Sequence, residues 1–412
     1  MPQRFRISAI GLAVLAGFAV LHALALRIYD FITRIPDGVA KPHPFADTLA
    51  VLQAAACWRG GVDVYHPSAC LGGGVFNYSP VLLRLGLLGL GGQDTLAVGL
   101  GLCLAFIAAL ALLPAPSRGG EFRLRLAASL SPASYYALEQ GNLDAGLFAA
   151  ILLAVWLLWR APRARLLAYG VFALGAAAKF YPIAGFALAL RERRSVVLGL
   201  AAAGLAGLAL VLVLYGRQVM TALTIIPSGT PFRASFGRID LPRGLLMLHW
   251  LRPPAGLGAG AWAALLSWAM AAVALAAALG LQRSWGRALA ALDEARRLLL
   301  IAGAALVALC FFAAQNIEYR AVYLLLTLPG LWRLGAARPR LRGLAMVSVL
   351  LLWEAVPRAL FAGLAQPYIP APVTSWFWLL REALWWWVAV EFTALLLAFA
   401  AAQLPRLGAR KN

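Results

Sequence analysis

Long blocks of apolar residues, separated by short arginine-bearing connections, dominate the pattern along this chain. Residues 7–26, 195–215 and 257–281 each reach the roughly 20 apolar residues that a helix needs to span about 30 Å of hydrocarbon. Further apolar segments at 95–113, 124–138, 143–159, 298–314, 319–334, 343–361 and 377–402 predict the remaining crossings. Block 7–26 is too long for the apolar core of a cleavable signal, and no small-residue cleavage site precedes the next segment. It reads as the first membrane helix. The expected architecture is an all-α polytopic membrane protein with about 11–13 transmembrane helices.

Two apolar segments do not fit a simple crossing. Residues 76–90 are short, carry Arg84, and open with Tyr78-Ser79-Pro80. They predict a helix lying along or dipping into the membrane surface. Residues 166–178 and 183–190 are too short to be two full spans, yet arginine clusters flank both. With Lys179-Phe180-Tyr181-Pro182 between them they predict a broken hairpin, a geometry tolerated only beside protein or a wet cavity.

Composition agrees with the pattern. The chain is 63% hydrophobic and only 13% charged, about half the charged share of a soluble domain. Its formal charge of +20 would suggest a nucleic-acid partner in a soluble protein, but most of the 36 basic residues lie in clusters at the ends of apolar blocks. Those clusters are Arg4/Arg6, Arg118/Arg123/Arg125, Arg160/Arg163/Arg165, Arg191/Arg193/Arg194, Arg283/Arg287/Arg296/Arg297, Arg333/Arg338/Arg340/Arg342 and Arg406/Arg410/Lys411. By the positive-inside rule they mark cytoplasmic ends, place both termini in the cytoplasm, and make nucleic acid an unneeded partner. One integral membrane domain, 1–412, is then expected. It has a long first external loop at 30–94, core helices at 95–215 and C-terminal helices at 216–412. Further outer loops fall at 216–256, 315–318 and 362–376.

Residues able to carry chemistry cluster toward the outer face of the front half. Asp47 in Pro44-Phe45-Ala46-Asp47 precedes an apolar helical stretch, so it reads either as a helix N-cap or as a general base at the membrane face. Asp63, after Gly60-Gly61, reads as an Asx-turn residue. Tyr65 and Tyr78 read as interface-belt aromatics. Gln140, Asn142 and Asp144 sit at the top of a helical hairpin, where polar residues can cap helices. Lys179, at the break of an apolar hairpin, must snorkel or pair with an anion. Arg320, in Gln315-Asn316-Ile317-Glu318-Tyr319-Arg320, can pair with Glu318 or hold a phosphate. Of the four cysteines, Cys103 and Cys310 fall in apolar helices as packing residues. Cys57 and Cys70 share the external loop, as a disulfide or as two free small apolar side chains. No Walker loop, dinucleotide-binding glycine fingerprint or paired His/Cys metal spacing occurs, so no cofactor and no metal site are expected.

Three blocks together resemble glycosyltransferase family 87, the polytopic GT-C-type enzymes that use polyprenyl-phosphate sugars. Asp47 followed by Gly61-Val62-Asp63-Val64-Tyr65 resembles the family's first-loop pattern. Phe76-Asn77-Tyr78-Ser79-Pro80 resembles its aromatic segment opening a helix, although many members carry two prolines there. Gln140-Gly141-Asn142, with Lys179-Phe180-Tyr181-Pro182 about forty residues later, resembles its two hairpins. The likeness covers roughly residues 40–195. It implies a GT-C-type fold and an inverting, metal-independent hexosyltransferase, with mannose the family default. Its site would face the exterior of the inner, or plasma, membrane. Asp47 matches the catalytic aspartate. Lys179 and Arg320 become candidates for the donor phosphate, and Tyr78, Gln140, Asn142 and Tyr181 for substrate binding. The partners implied are a polyprenyl-phosphate sugar donor, a glycolipid or envelope-glycan acceptor, and membrane lipid. A transporter or flippase of a lipid or small solute is the alternative, since broken hairpins also describe transporters. No inverted repeat supports it. A purely structural membrane scaffold is a third reading.

Overall fold

A computed structural model describes residues 3–39, 43–117, 119–226, 229–362 and 372–408. Arg118, Arg410 and Lys411 of the basic clusters, and most of the expected outer loop 362–376, lie outside them. Helices α1 (Gln3–Leu24) and α2 (Leu26–Thr33) precede α3 (Ala46–Arg59) of the first loop. Next come α4 (Thr95–Ala109), α5 (Gly119–Ser129), α6 (Pro132–Glu139), α7 (Leu143–Arg160), α8 (Arg165–Ala178) and α9 (Arg194–Ile225). The rest of the chain forms α10 (Asp240–Met247), α11 (Ala259–Ala290), α12 (Glu294–Ala313), α13 (Leu324–Gly335), α14 (Pro339–Leu352), α15 (Ala355–Ala362) and α16 (Pro372–Gly408). Among the described residues the strands are β1 (Ser235–Phe236) and β2 (Asn316–Ile317), paired antiparallel with Phe236 opposite Asn316.

Among the described residues, seven helical segments are long and apolar enough to cross a membrane: Phe5–Leu24, Gly92–Leu112, Leu143–Arg160, Arg194–Ile225, Ala259–Ala290, Glu294–Ala313 and Ser375–Gln403. The chain is an all-α polytopic membrane protein. Several expected crossings are broken instead of continuous. Segment 124–138 divides into α5 and α6 because Pro132 cannot continue the preceding helix. Ser131 restarts it by accepting the Ser134 N–H on its hydroxyl, 3.3 Å away. Segment 319–334 begins as a 3-10 helix, Glu318–Tyr323, before α13, and 343–361 divides into α14 and α15 at Trp353-Glu354. Helices α9 and α11 run past the expected ends at 215 and 281, to Ile225 and Ala290.

The chain groups into two compact units. One comprises His43–Leu112, Ala137–Pro227 and Arg406–Asn412. In it α3 packs on the 3-10 helix Pro80–Leu88, α4 packs on α7, and α7 packs on α8. The approach of Pro80–Leu88 to α3 needs Gly86, because a Cβ there would collide with the Ala55 carbonyl. This helix is far too short to cross a membrane, as its sequence suggested. The broken hairpin is present too: α8 ends at Ala178, and the 3-10 helix Tyr181–Arg191 follows. Along α9 the apolar side chains Leu198, Leu205, Leu208 and Val213 are exposed, a surface suited to lipid.

The other unit comprises Met1–Pro42, Leu113–Tyr136 and Ser228–Pro405. Here α12 and α13 form the core, with α14 and α5 against α13. Leu300, Ile301, Leu306, Phe311, Leu326 and Leu328 are fully buried. An ion network crosses this unit. Arg381 bridges Glu354 at 3.3 Å and Glu382 at 2.5 Å, while Arg358 holds Glu318 at 2.9 Å. Arg381 also donates to the carbonyls of Arg233 and Ser235, at 2.9 and 2.8 Å, tying α16 to the segment around β1.

The first loop builds a small core together with Ala222 of α9. Ala54, Cys57, Val64, Tyr65, Phe76 and Leu83 are buried together. Tyr65 is therefore a core residue and not an interface-belt aromatic; its hydroxyl donates to the Tyr78 carbonyl at 3.3 Å. Asp63 does make the Asx-turn, accepting the Tyr65 N–H at 3.0 Å. The His66 ring at 2.8 Å, together with that N–H, holds the Asp63 carboxyl below its ordinary range. Cys103 and Cys310 are buried thiols outside any disulfide, and Cys57 and Cys70 are disulfide-bonded with their Cα atoms 6.1 Å apart. The bond joins the last turn of α3 to the turn at Ala69–Leu71. Closing a loop of this size stabilises by up to about 3 kcal/mol in the chain-entropy model. The double variant Cys57→Ser/Cys70→Ser is accordingly expected to melt at lower temperature than the oxidised protein. Equal melting temperatures with and without reductant would show that the bond carries no such load.

Candidate functional site around Asp47

The site begins with a docking problem at the start of α3. A helix leaves its first N–H groups without intrahelical partners. The residue before α3 is Phe45, which has no side-chain oxygen to cap it, so carbonyls at the α6–α7 turn supply the caps. Phe45 N–H donates to the Glu139 carbonyl at 2.7 Å, and Asp47 N–H to the Gln140 carbonyl at 3.0 Å. The Thr48 hydroxyl completes the set on the Gly141 carbonyl at 2.6 Å. Asp47 is thus the second residue of α3 and not its N-cap.

The junction is tight and locally strained. Phe45 is buried with φ of 67°, a left-handed conformation rare for a bulky side chain. Gly141 has φ of 56°, and a Cβ there would strike the Thr48 hydroxyl. The first turn of α3 is therefore held against the 139–141 turn by backbone geometry as well as by hydrogen bonds.

The side chains continue the connection. Half-buried Asp47 accepts the Asn142 amide on Oδ2 at 2.5 Å. The Asn142 Oδ1 accepts the Asp144 N–H at 2.9 Å and the Lys179 ammonium at 2.8 Å. Both of those partners can only donate, so the Asn142 amide has one orientation: oxygen toward Lys179, nitrogen toward Asp47. Asn142 does cap α7, as its place at the hairpin top suggested, and it also orients Asp47.

Lys179 lies 2.9 Å from Asp144 Oδ2, and both side chains are buried. Its ammonium also stands 5.3 Å from the centre of the Tyr78 ring. The anion required by a lysine at the hairpin break is thus provided by the chain itself. Ser79 closes this corner by donating to the Ala177 carbonyl at 2.6 Å, tying the start of Pro80–Leu88 to the end of α8.

Asp47, Asn142, Lys179 and Tyr78 therefore form one connected group. Gln140 joins it through its backbone carbonyl, while its side chain donates to Glu139 at 2.6 Å. Tyr181 is buried at the head of the 3-10 helix that follows Lys179. Arg320 belongs to the other unit, where its Nη1 donates to Asn316 Oδ1 at 2.5 Å. Of two further members, Thr48 was not among the expected residues, and Asp144 was expected only as a polar residue capping a helix. Asp144 carried a readable signal as the lone acid of an apolar segment, which calls for a buried cation. Thr48 carried none, because its partner lies 93 residues away.

No protein-family model, no curated protein and no solved structure matches the chain. What the group can do follows from its residues. It presents a half-exposed carboxylate, fixed by an amide that is itself fixed by a buried ion pair. Such a group can accept a proton with little reorganisation. Among the described residues, no three His, Cys, Asp or Glu side chains gather in a group able to hold a metal ion.

Proposed function

We propose that the chain is a membrane glycosyltransferase of the GT-C type. It moves a hexose from a polyprenyl-phosphate sugar to a lipid-linked or cell-envelope acceptor at the outer face of the inner, or plasma, membrane, with both termini cytoplasmic. The observation that carries this reading is the clamp on Asp47. A carboxylate at the start of a disulfide-stapled loop helix is oriented by Asn142, and Asn142 by Lys179. The order of the sequence blocks resembling family 87 supplies the sugar chemistry.

In this proposal Asp47 takes the proton of an acceptor hydroxyl as that oxygen attacks the anomeric carbon. The bond from the anomeric carbon to the phosphate oxygen breaks with inversion, and polyprenyl phosphate leaves with the bonding electron pair. Charge developing on that phosphate favours a nearby fixed cation. Lys179, one side chain removed from Asp47, is suited to that role while Asp144 keeps it charged and in place. Mass spectrometry of membrane glycolipids from cells with and without the protein tests the proposal. A hexosylated species should depend on the protein, and an unchanged glycolipid profile would sink the reading.

No divalent metal enters this mechanism. Transfer by the purified protein is expected to proceed at an unchanged rate in EDTA. A rate lost on chelation and restored by magnesium or manganese would require a different leaving-group strategy.

A further inference from the structure

We propose a second site: a pocket for an anionic phosphate headgroup at the end of α11, beside the α13–α14 turn, an end that its arginines assign to the cytoplasm by the positive-inside rule. A cavity of about 290 Å³ opens there, within one unit. Leu281, Trp285 and Leu341 give it an apolar wall, Arg338 and Arg340 a basic rim, and Glu391 a polar base. It is a half-open cleft with room for several waters. That suits a headgroup whose acyl chains run outside along the helices.

The charges favour an anion. Glu391, almost wholly buried, is neutralised from within: it accepts Trp285 Nε1 at 3.0 Å, Trp387 Nε1 at 2.9 Å and Arg340 Nε at 2.6 Å. Its carboxylate fixes the Arg340 guanidinium at the mouth, where that side chain stays half exposed. Partly exposed Arg338 is steadied by donating to the Ser284 carbonyl at 2.9 Å. The two arginines flank Pro339 at the start of α14, where the helix dipole is also positive. Arg340 and Glu391 cancel one another, so Arg338 and the positive end of the α14 dipole leave the rim net positive and open to an anion. Two guanidiniums of fixed position beside an apolar wall match a phosphodiester bearing lipid chains.

The test titrates the purified full-length chain in detergent with short-chain phosphatidylglycerol, read by native mass spectrometry. Short-chain phosphatidylcholine and inorganic phosphate form the other arms. Phosphatidylglycerol is expected to bind more tightly than phosphatidylcholine. Arg338→Gln should weaken it about tenfold, the scale of a lost charged hydrogen bond. Arg340→Gln with Glu391→Gln should do the same, without leaving a lone buried carboxylate. Exposed Arg163→Gln, in another basic cluster, should leave binding unchanged. Displacement by inorganic phosphate would assign the site to the free anion, and its failure to displace would assign it to lipid. Equal binding of the two lipids, or an equal loss in Arg163→Gln, would overturn the proposal, because diffuse surface charge would then explain the binding.

Discussion

Asp47→Asn is expected to leave the protein folded and to lower sugar transfer by about a hundredfold or more, the scale of a lost general base. The substitution is nearly isosteric, and the contacts that dock α3, through the Phe45 and Asp47 N–H groups and the Thr48 hydroxyl, are all kept. One contact changes character. Asn142 donates its amide to Asp47 Oδ2, so an asparagine at 47 must turn its own oxygen toward Asn142. That rotation preserves the hydrogen bond and removes only the basicity. The loss should therefore appear in kcat with unchanged melting temperature and little change in donor KM. The measurement is turnover by purified protein with a polyprenyl-phosphate sugar. Near-normal transfer would refute Asp47 as the base. A loss of solute uptake with transfer undetectable even in the unmodified protein would favour the transporter alternative.

The legibility of this protein in its sequence divides along physical lines. Long apolar helices were readable because a chain in lipid must satisfy its backbone within each segment, yet against the 11–13 crossings expected, seven helical segments among the described residues are long and apolar enough to cross. The breaks were harder. Ser131-Pro132 sits inside a block whose average hydropathy is high, and the average hides the one residue without an N–H. Asp47 was readable as an acid opening a loop helix. Its docking was not, because the carbonyls that cap α3 come from Glu139 and Gln140, far along the chain. Cys57 and Cys70 were readable as a candidate pair, but the 6.1 Å between their Cα atoms that allows the bond is set by the folded loop and not by their spacing. The ion network of Arg381, Glu382, Glu354 and Arg358 went unread, although Arg381 and Glu382 are adjacent charges within an apolar span. Charges in such a place call for partners as surely as Lys179 does.

Lys179 is the position where stability and chemistry can be separated. Its removal alone, as Lys179→Met, is expected to destabilise the protein by about 3–5 kcal/mol, because Asp144 is then a buried carboxylate without its cation. Loss of activity in that variant would say nothing about donor binding. The informative variant is Lys179→Met with Asp144→Asn. It removes both charges, and the asparagine introduced at 144 keeps the backbone N–H that Asn142 caps. This pair should recover most of the lost stability, since exchanging a buried ion pair for neutral groups of similar volume is often close to neutral. If Lys179 also meets the donor phosphate, the stable double variant should still turn over slowly and show a raised donor KM. If its role is confined to holding Asp144 and Asn142, the double variant should regain activity along with stability. Thermal unfolding and steady-state kinetics on the same preparations distinguish the two. The chain uses lysine at only three positions among its 36 basic residues, so Lys179→Arg adds a further comparison. A planar guanidinium cannot reproduce a compact ammonium set between Asp144, Asn142 and the Tyr78 ring. Lys179→Arg should therefore retain charge and still lose part of both stability and activity. Full function in Lys179→Arg would show that charge alone, and not the shape of this pocket, is what position 179 requires.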